Sequence, residues 1–467
     1  MTDYDYDWVV IGAGPAGQAT AIQASRLGKR VALIERQPDV GGVTVDISIP
    51  SKTLREAVLH FTGYNERKIY GVAESMKKDI KMSDLMVRTS YVIQNQTETL
   101  RTQIIRAKVE VINAEASFID RHTIGLASDE GRTQRTITTD KACIAVGTSS
   151  TKPPMVYTDG KLIFVSDDIL NLQELPRTLT IVGAGPIGLE YCCTFAALGI
   201  RVTLINKNSR MLTFADDEIV DTLVYYLRQE GVLLRLGEEV LDIEYLRDDA
   251  GDGIRVILAS GKQIISDAVM YCVGRTGNTA SLNLEAVGIK ADDRRRLKVD
   301  EHYQTSVEGI YAVGGVIGFP DLVSTSQIQG RLAAKHAFGA PTKSYAGLFP
   351  YMVKTIPEMA MVGKTELELT EEGIPYEVGK ARYQDAVKNV ITGNNDGLLK
   401  LIFNIENRLL LGVHIIGEDA AELIHIGQAV IAHGGTVDYF LESVISYPTL
   451  AECYVTAALD GVDRLRL

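Results

Sequence analysis

A glycine-rich turn between an apolar strand and a helix constrains this chain more than any other feature. Residues Tyr6–Arg36 read YDWVVIGAGPAGQATAIQASRLGKRVALIER. Trp8-Val9-Val10-Ile11 is a continuous apolar run, as expected of a strand buried on both faces. Gly12, Gly14 and Gly17 follow as G-x-G-x-x-G. Gly12 permits the tight turn, Gly14 leaves room for a pyrophosphate, and Gly17 lets helix and strand pack closely. The helix then turns its N-terminus toward the anion. A second strand, Arg30 to Ile34, ends on Glu35-Arg36. A carboxylate at Glu35 can accept bonds from a ribose 2′-hydroxyl. The glycine triplet alone is a weak motif. With the strand before it, the helix after it and the acid in place, it predicts dinucleotide binding.

The pattern recurs. Leu179-Thr180-Ile181-Val182 is a strand, and Gly183, Gly185 and Gly188 form a second G-x-G-x-x-G. A helix runs to about Leu198, and Arg201 to Ile205 is the next strand. Two fingerprints imply two dinucleotides. They differ at the position that reads the ribose, where the second has Asn206 rather than an acid. A carboxylate there selects NAD and repels the 2′-phosphate of NADP, whereas an amide serves a hydroxyl or a phosphate. Lys207 and Arg210 stand close by and can pair with that phosphate, or can be solvated loop cations. A site open to both nucleotides is what an enzyme moving hydride between them requires.

Other segments fill in the organisation. Gly41-Gly42 suit a close backbone approach to a ligand, and Pro50 opens a helix. Lys77 to Ala107 reads as a long surface helix, with strands at Val109–Asn113 and Ala116–Ile119. Cys143 to Gly147 is a strand ending in glycine, and Thr151–Pro154 is a linker. Val269–Arg275 and Gly309–Gly315 are strand-to-glycine segments expected to close the second and first sheets. Beyond Leu348, strand-like Leu398–Ile405 and Leu409–Ile416 precede a helical stretch, Ala420–His433. The expected fold is α/β, with two Rossmann-like domains and a C-terminal α+β interface domain. The expected boundaries are 1–152 and 276–345 for the first domain, 153–275 for the second and 346–467 for the third.

Composition excludes several classes. The net charge of −12, from 60 acids and 48 bases, argues against a nucleic-acid partner. No apolar run has transmembrane length and the first residues are acidic, so a soluble cytoplasmic protein is expected. The five cysteines, Cys143, Cys192, Cys193, Cys272 and Cys453, lack metal-ligand spacing. Cys192-Cys193 read as buried thiols, and His414 and His425 as core or interface residues. No cluster suggests a metal.

Taken together, GAGPAG with Glu35, IPSK at 49–52, GAGPIGLE at 183–190 and YAVGG at 311–315 resemble the flavoprotein disulfide reductase family. The resemblance spans essentially the whole chain. Within the family, Ile49–Ala57, Gly274–Thr279 and Ser446–Glu452 look most like the branch that transfers hydride between NADPH and NAD+. The family implies FAD on the first fingerprint and NADPH/NADH or NAD+/NADP+ on the second, with a C-terminal dimerisation domain and hence a homodimer. Gly42, Thr44, Gly147 and Gly315 fall on the FAD side, and Gly274-Arg275 on the nucleotide side. Lys52 and Glu190 match a pair that meets beside the flavin N5. The lysine would stabilise charge on reduced flavin and the glutamate would orient it. The helix beginning near Leu322 should aim its N-terminus at the flavin pyrimidine.

Two departures remove the disulfide chemistry. Thr44 and Ser48 stand where the reductases have their thiols, and no cysteine precedes Cys143. Tyr447, in Tyr447-Pro448-x-x-x-Glu452, stands where they have the acid–base histidine. With an unperturbed pKa near ~10, tyrosine is a poor proton shuttle. Two further departures fall on the flavin site. Gly315 replaces an aspartate that bonds the ribityl chain, and the segment between Gly42 and Ile49 is one residue short. A lost charge-assisted bond is worth roughly 1.5–3 kcal/mol, so weakened FAD binding is expected. The expected activity is FAD-dependent hydride transfer between NADPH and NAD+, ping-pong through the flavin. The alternatives are a diaphorase-like quinone reductase and a flavin-poor nucleotide-binding relative.

Overall fold

The computed structural model describes residues 4–64, 79–127, 133–248, 251–342 and 347–465. They form two compact units. One comprises Met1–Thr53, Met86–Thr151 and Gly274–Ala346; the other comprises Leu54–Leu85, Lys152–Val273 and Gly347–Leu467.

The first unit is built on the strand Tyr6–Ile11, which pairs in parallel with Val31–Glu35 and with Thr133–Ile144. Glu110–Asn113 extends the sheet beyond Val31–Glu35, and Ile310–Ala312 adds in parallel to Thr133–Ile144. The long strand Thr133–Ile144 serves two sheets. Its first half pairs antiparallel with Thr123–Ala127, which pairs with Glu115–Phe118. Alternation along the pleat sorts the central residues into two cores. Trp8, Val10, Leu33 and Cys143 face a layer that includes Ala16, Ala21, Ala333 and Ala334. Val9, Ile11, Ile34 and Ile144 face Phe118, Ile124 and Leu126. The alanines let the helices Pro15–Arg26 and Val323–Ala337 come together, and a Cβ at Gly330 would lie 2.4 Å from the Ala16 carbonyl oxygen. The expected Lys77–Ala107 helix is Met82–Arg106, with Lys77 and Lys78 outside the described residues.

Helical backbone after Gly42 begins before Pro50. A π-helical turn, Thr44–Ser48, runs into the helix Ile49–Thr62. Pro50 therefore sits inside a continuous helical segment, at the junction of its π- and α-helical parts, rather than opening it.

The second unit contains a parallel sheet in the order Leu233–Leu236, Arg201–Asn206, Thr178–Val182, Ala268–Tyr271, Ile163–Val165. Ala268–Tyr271 is thus interior rather than closing the sheet. The edge is the short strand Ile163–Val165, whose three apolar residues carry no periodicity to read. An antiparallel meander, Val240–Asp248, Gly251–Leu258 and Gln263–Ser266, packs Ile243, Ile254 and Val256 on Val182, Ile205 and Val269. The C-terminal part is α+β, a five-stranded antiparallel sheet joined by the helices Ala420–Ala432 and Glu452–Arg464. Gly379 lies against the second of these, since a Cβ there would meet the Ala457 carbonyl oxygen at 1.9 Å. His414 is buried and its Nε2 lies 2.9 Å from the Lys364 carbonyl. His425 is exposed, not core, because the buried face of its helix is Ala420, Ala421, Leu423, Ile424, Gly427 and Val430.

One buried cation ties the nucleotide-type sheet to the C-terminal sheet within this unit. Lys400 is 1% exposed, and its Nζ lies 2.8 Å from Asp216 Oδ1 and 3.3 Å from Glu218 Oε2, and also reaches Glu366. Asp216 caps the helix Asp217–Gln229 by accepting from the Glu218 N–H. Removing the cation strands a buried carboxylate, which is costly in low dielectric. Lys400→Met should lower unfolding stability by about 3–5 kcal/mol, read from urea denaturation.

Candidate functional site

In the first unit the fingerprint glycines are enforced by their neighbours. A Cβ at Gly12, where φ is +103°, would lie 2.5 Å from the Ala145 carbonyl oxygen. At Gly17 it would lie 1.8 Å from the Gly12 carbonyl oxygen. Gly14 differs, having no atom within 4 Å of such a Cβ. The protein leaves that space to a ligand, directly before Pro15 at the helix N-terminus, where no side chain caps the free N–H groups. These are the conditions a pyrophosphate needs.

Glu35 closes the other end of the turn. Its Oε2 accepts from the Ala13 N–H at 2.7 Å and its Oε1 from the Gln37 N–H at 2.9 Å. Two backbone donors thus aim the carboxylate, with lone pairs left for a ribose. Arg36 is exposed beside it. Gly42, at φ +48°, lies against Gly14, with a Cβ there 3.1 Å from the Gly14 Cα. A Cβ at Gly314 would meet the Ala16 Cβ at 2.9 Å. Three glycine segments therefore converge on one helix N-terminus. Thr44 begins the π-helical turn, and Gly147, at φ +61°, follows the strand that flanks the fingerprint. Lys52 is half-buried on its helix, its Nζ 3.2 Å from Ser51 Oγ. The shape and donor set fit FAD.

The second unit repeats the geometry. A Cβ at Gly183 would lie 2.5 Å from the Cys272 carbonyl oxygen, and one at Gly188 2.0 Å from that of Gly183; Gly185 is open. Asn206 takes the place of Glu35 in the clasp. Its Oδ1 accepts from the Ala184 N–H at 3.2 Å, and its Nδ2 donates to the carbonyls of Asn208 and Arg210. Sequence reasoning anticipated the acceptor and donor capacity of Asn206 but not that the loop itself uses both. Nor did it find the acids that meet the two cations. Lys207 pairs with Glu239 at 2.7 Å, and Arg210 pairs with Asp217. Glu190 is held by the Lys354 N–H, which donates to its Oε1 at 2.9 Å.

Gly274 and Arg275 fall in the first unit. Arg275 donates to the Thr148 carbonyl at 2.7 Å, to its Oγ1 at 2.8 Å and to Ser150 Oγ at 3.3 Å. These bonds staple the short antiparallel pair Thr148–Ser150 and Arg275–Gly277.

Four of the thiols are held protonated by burial. None of the five cysteines forms a disulfide. Burial pushes Cys192 well up and Cys193 and Cys453 to about 12, and it raises Cys143 as well. Since the thiolate is the nucleophile, none of these four is poised for exchange. Tyr447 is an exposed side chain.

A family model described as pyridine nucleotide-disulphide oxidoreductase matches residues 6–330, and the dimerisation-domain model of that family matches residues 349–458. A soluble pyridine nucleotide transhydrogenase of Mycobacterium tuberculosis is 47% identical over 463 residues, 99% of this chain and 98% of its own. One from Colwellia psychrerythraea is 42% identical over 467 residues, 99% of each. Among solved structures, a HOCl-induced flavoprotein disulfide reductase of Escherichia coli has a TM-score of 0.85 at 26% identity. That match covers 97% of this chain and 99% of the other. These similarities imply FAD as cofactor and NAD(P) as substrate.

Glu35→Ala should release the Ala13 and Gln37 N–H groups and remove the ribose acceptor. FAD affinity, titrated by visible absorbance, should fall about ten- to a hundredfold, or roughly 1.5–3 kcal/mol. Asn206→Ala should leave it unchanged.

Proposed function

This chain belongs to the pyridine nucleotide-disulphide oxidoreductase family, and from that premise we propose that it transfers hydride between NADPH and NAD+ through FAD, without a redox disulfide. The observation that carries this reading is the missing thiol. No cysteine precedes Cys143, and Cys143 is buried with its pKa raised. The exposed Tyr447 replaces the histidine a dithiol would need. Chemistry that ends at the flavin needs neither group.

On this reading FAD lies on residues 1–152 and 276–345, against Gly12, Gly14, Gly17, Glu35 and Gly42. When bound, it supplies a two-electron carrier. The nicotinamide nucleotide lies on residues 153–275, with Gly183, Gly185 and Gly188 at its pyrophosphate and Asn206, Lys207 and Arg210 at its ribose. Lys52 places a positive charge where negative charge develops. Residues 346–467 join two copies into a homodimer. Among the described residues no helix is long and apolar enough to cross a membrane. We place the protein in the cytoplasm.

One nicotinamide site forces the donor to leave before the acceptor enters. Initial rates against NADPH at several NAD+ concentrations should give parallel double-reciprocal lines; intersecting lines would refute the single shared site. A much higher rate with a quinone than with NAD+ would favour the diaphorase reading instead.

The loop also sets the nucleotide preference. A 2′-phosphate reaching for Lys207 must compete with Glu239, and one reaching for Arg210 must compete with Asp217. Lys207 is 71% exposed, so its pair is screened and weak. Glu239→Gln should raise kcat/KM for NADPH relative to NADH by about two- to fivefold, as steady-state kinetics with each donor would show.

A further inference from the structure

The turn after the strand Ile310–Ala312 carries no side chain at Gly314 or Gly315. The two glycines have different neighbours. Gly314 packs on Ala16 of the fingerprint helix. Gly315 faces a carboxylate, since a Cβ there would meet Asp321 Oδ1 at 2.4 Å and its Cγ at 3.1 Å. Two turns bring Asp321 to that place. The Gly318 N–H donates to the Gly315 carbonyl at 2.9 Å, and the Asp321 N–H donates to the Gly318 carbonyl at 3.2 Å. Asp321 itself has φ +43°, a left-handed conformation that aspartate tolerates better than most residues.

The carboxylate has an organised setting. Its Oδ2 accepts a long bond of 3.4 Å from Thr148 Oγ1, and that hydroxyl oxygen accepts from Arg275 Nε at 2.8 Å. Thr148 directly follows Gly147. The residue is open to solvent as a whole, yet crowding of its carboxyl raises the pKa against the pull of Arg275 and Thr148. Asp321 also stands just before Leu322, the N-cap of the helix Val323–Ala337, whose first turn holds no acid. An acceptor with spare lone pairs is therefore presented beside the glycines that converge on the fingerprint.

We propose that Asp321 fills the place a side chain at position 315 would hold, and that its carboxylate accepts a hydrogen bond from a ribityl hydroxyl of bound FAD. The proposal rests on the assignment of FAD to the first fingerprint. A carboxylate accepts from hydroxyls and repels phosphates, so its partner is the polyol chain and not the pyrophosphate. It offsets the loss expected from Gly315, because the acid is supplied from six residues downstream rather than from the strand end.

The test is FAD titration of stripped protein, followed by flavin absorbance and fluorescence, with the thermal midpoint of each apoprotein as the folding control. Asp321→Gly removes the carboxylate while accepting the positive φ, and should weaken FAD binding about ten- to a hundredfold. Asp321→Asn keeps shape and conformation but not charge, and should weaken it less. Gly315→Asp alone sets two carboxylates in one place and should also weaken binding. Gly315→Asp combined with Asp321→Gly should restore affinity to within about threefold of the parent, a rescue that a purely structural aspartate would not show. Parent-like affinity in Asp321→Gly, or no rescue in the double variant, overturns the role of Asp321 and leaves the FAD assignment standing. A parent protein that takes up no FAD overturns both.

Discussion

The structure of both dinucleotide-type folds depends on one backbone contact, the approach of the fingerprint helix to the carbonyl at the end of its strand. A Cβ at Gly17 or Gly188 would lie within about 2 Å of that oxygen, so no other residue fits. The closeness brings the helix N-terminus over the strand end and turns its unbonded N–H groups toward a ligand. It also fixes which residues become neighbours. Ala145 and Cys272 abut the two turns because the adjacent strands end there. In the first unit Gly42 and Gly314 then crowd the same helix end.

Around that shared geometry the two units diverge through side-chain chemistry. Glu35 and Asn206 make the same clasp, each accepting from the N–H that follows the first glycine. Glu35 is a carboxylate with capacity to spare for a ribose. Asn206 has an amide that must also hold its own loop together. Lys207 and Arg210, close by on the same loop, are both matched by acids. These are solvent-screened pairs, the kind of contact that shifts with salt and with single substitutions.

The buried Lys400 works on a different scale. Being nearly inaccessible, it cannot exchange its carboxylate partners for water, and Asp216 cannot either. The arrangement commits the helix Asp217–Gln229 and the C-terminal sheet of the same unit to one register. The local sequence marks the lysine but not its partners. A lysine inside an apolar strand, in Leu398-Leu399-Lys400-Leu401-Ile402, reads as an anomaly until the helix cap packs against it.

Residue type and spacing alone carry the α/β class, the two fingerprints, the acid and the amide that answer each other, and the lack of any cysteine before Cys143. These are local, carried by residue type and spacing within a strand–turn–helix. The long-range pairings were not legible. The strand Ile163–Val165 has too few residues to show a period, and the acids facing Lys207 and Arg210 come from other elements. Asp321 is the clearest case. From the sequence, Gly315 reads as a lost acceptor, because a side chain is sought at its own position. Only the tertiary structure, by folding the chain back through a left-handed residue, places a carboxylate against that glycine. Turns and ion pairs of this kind depend on where several elements meet, and spacing along one of them cannot encode that.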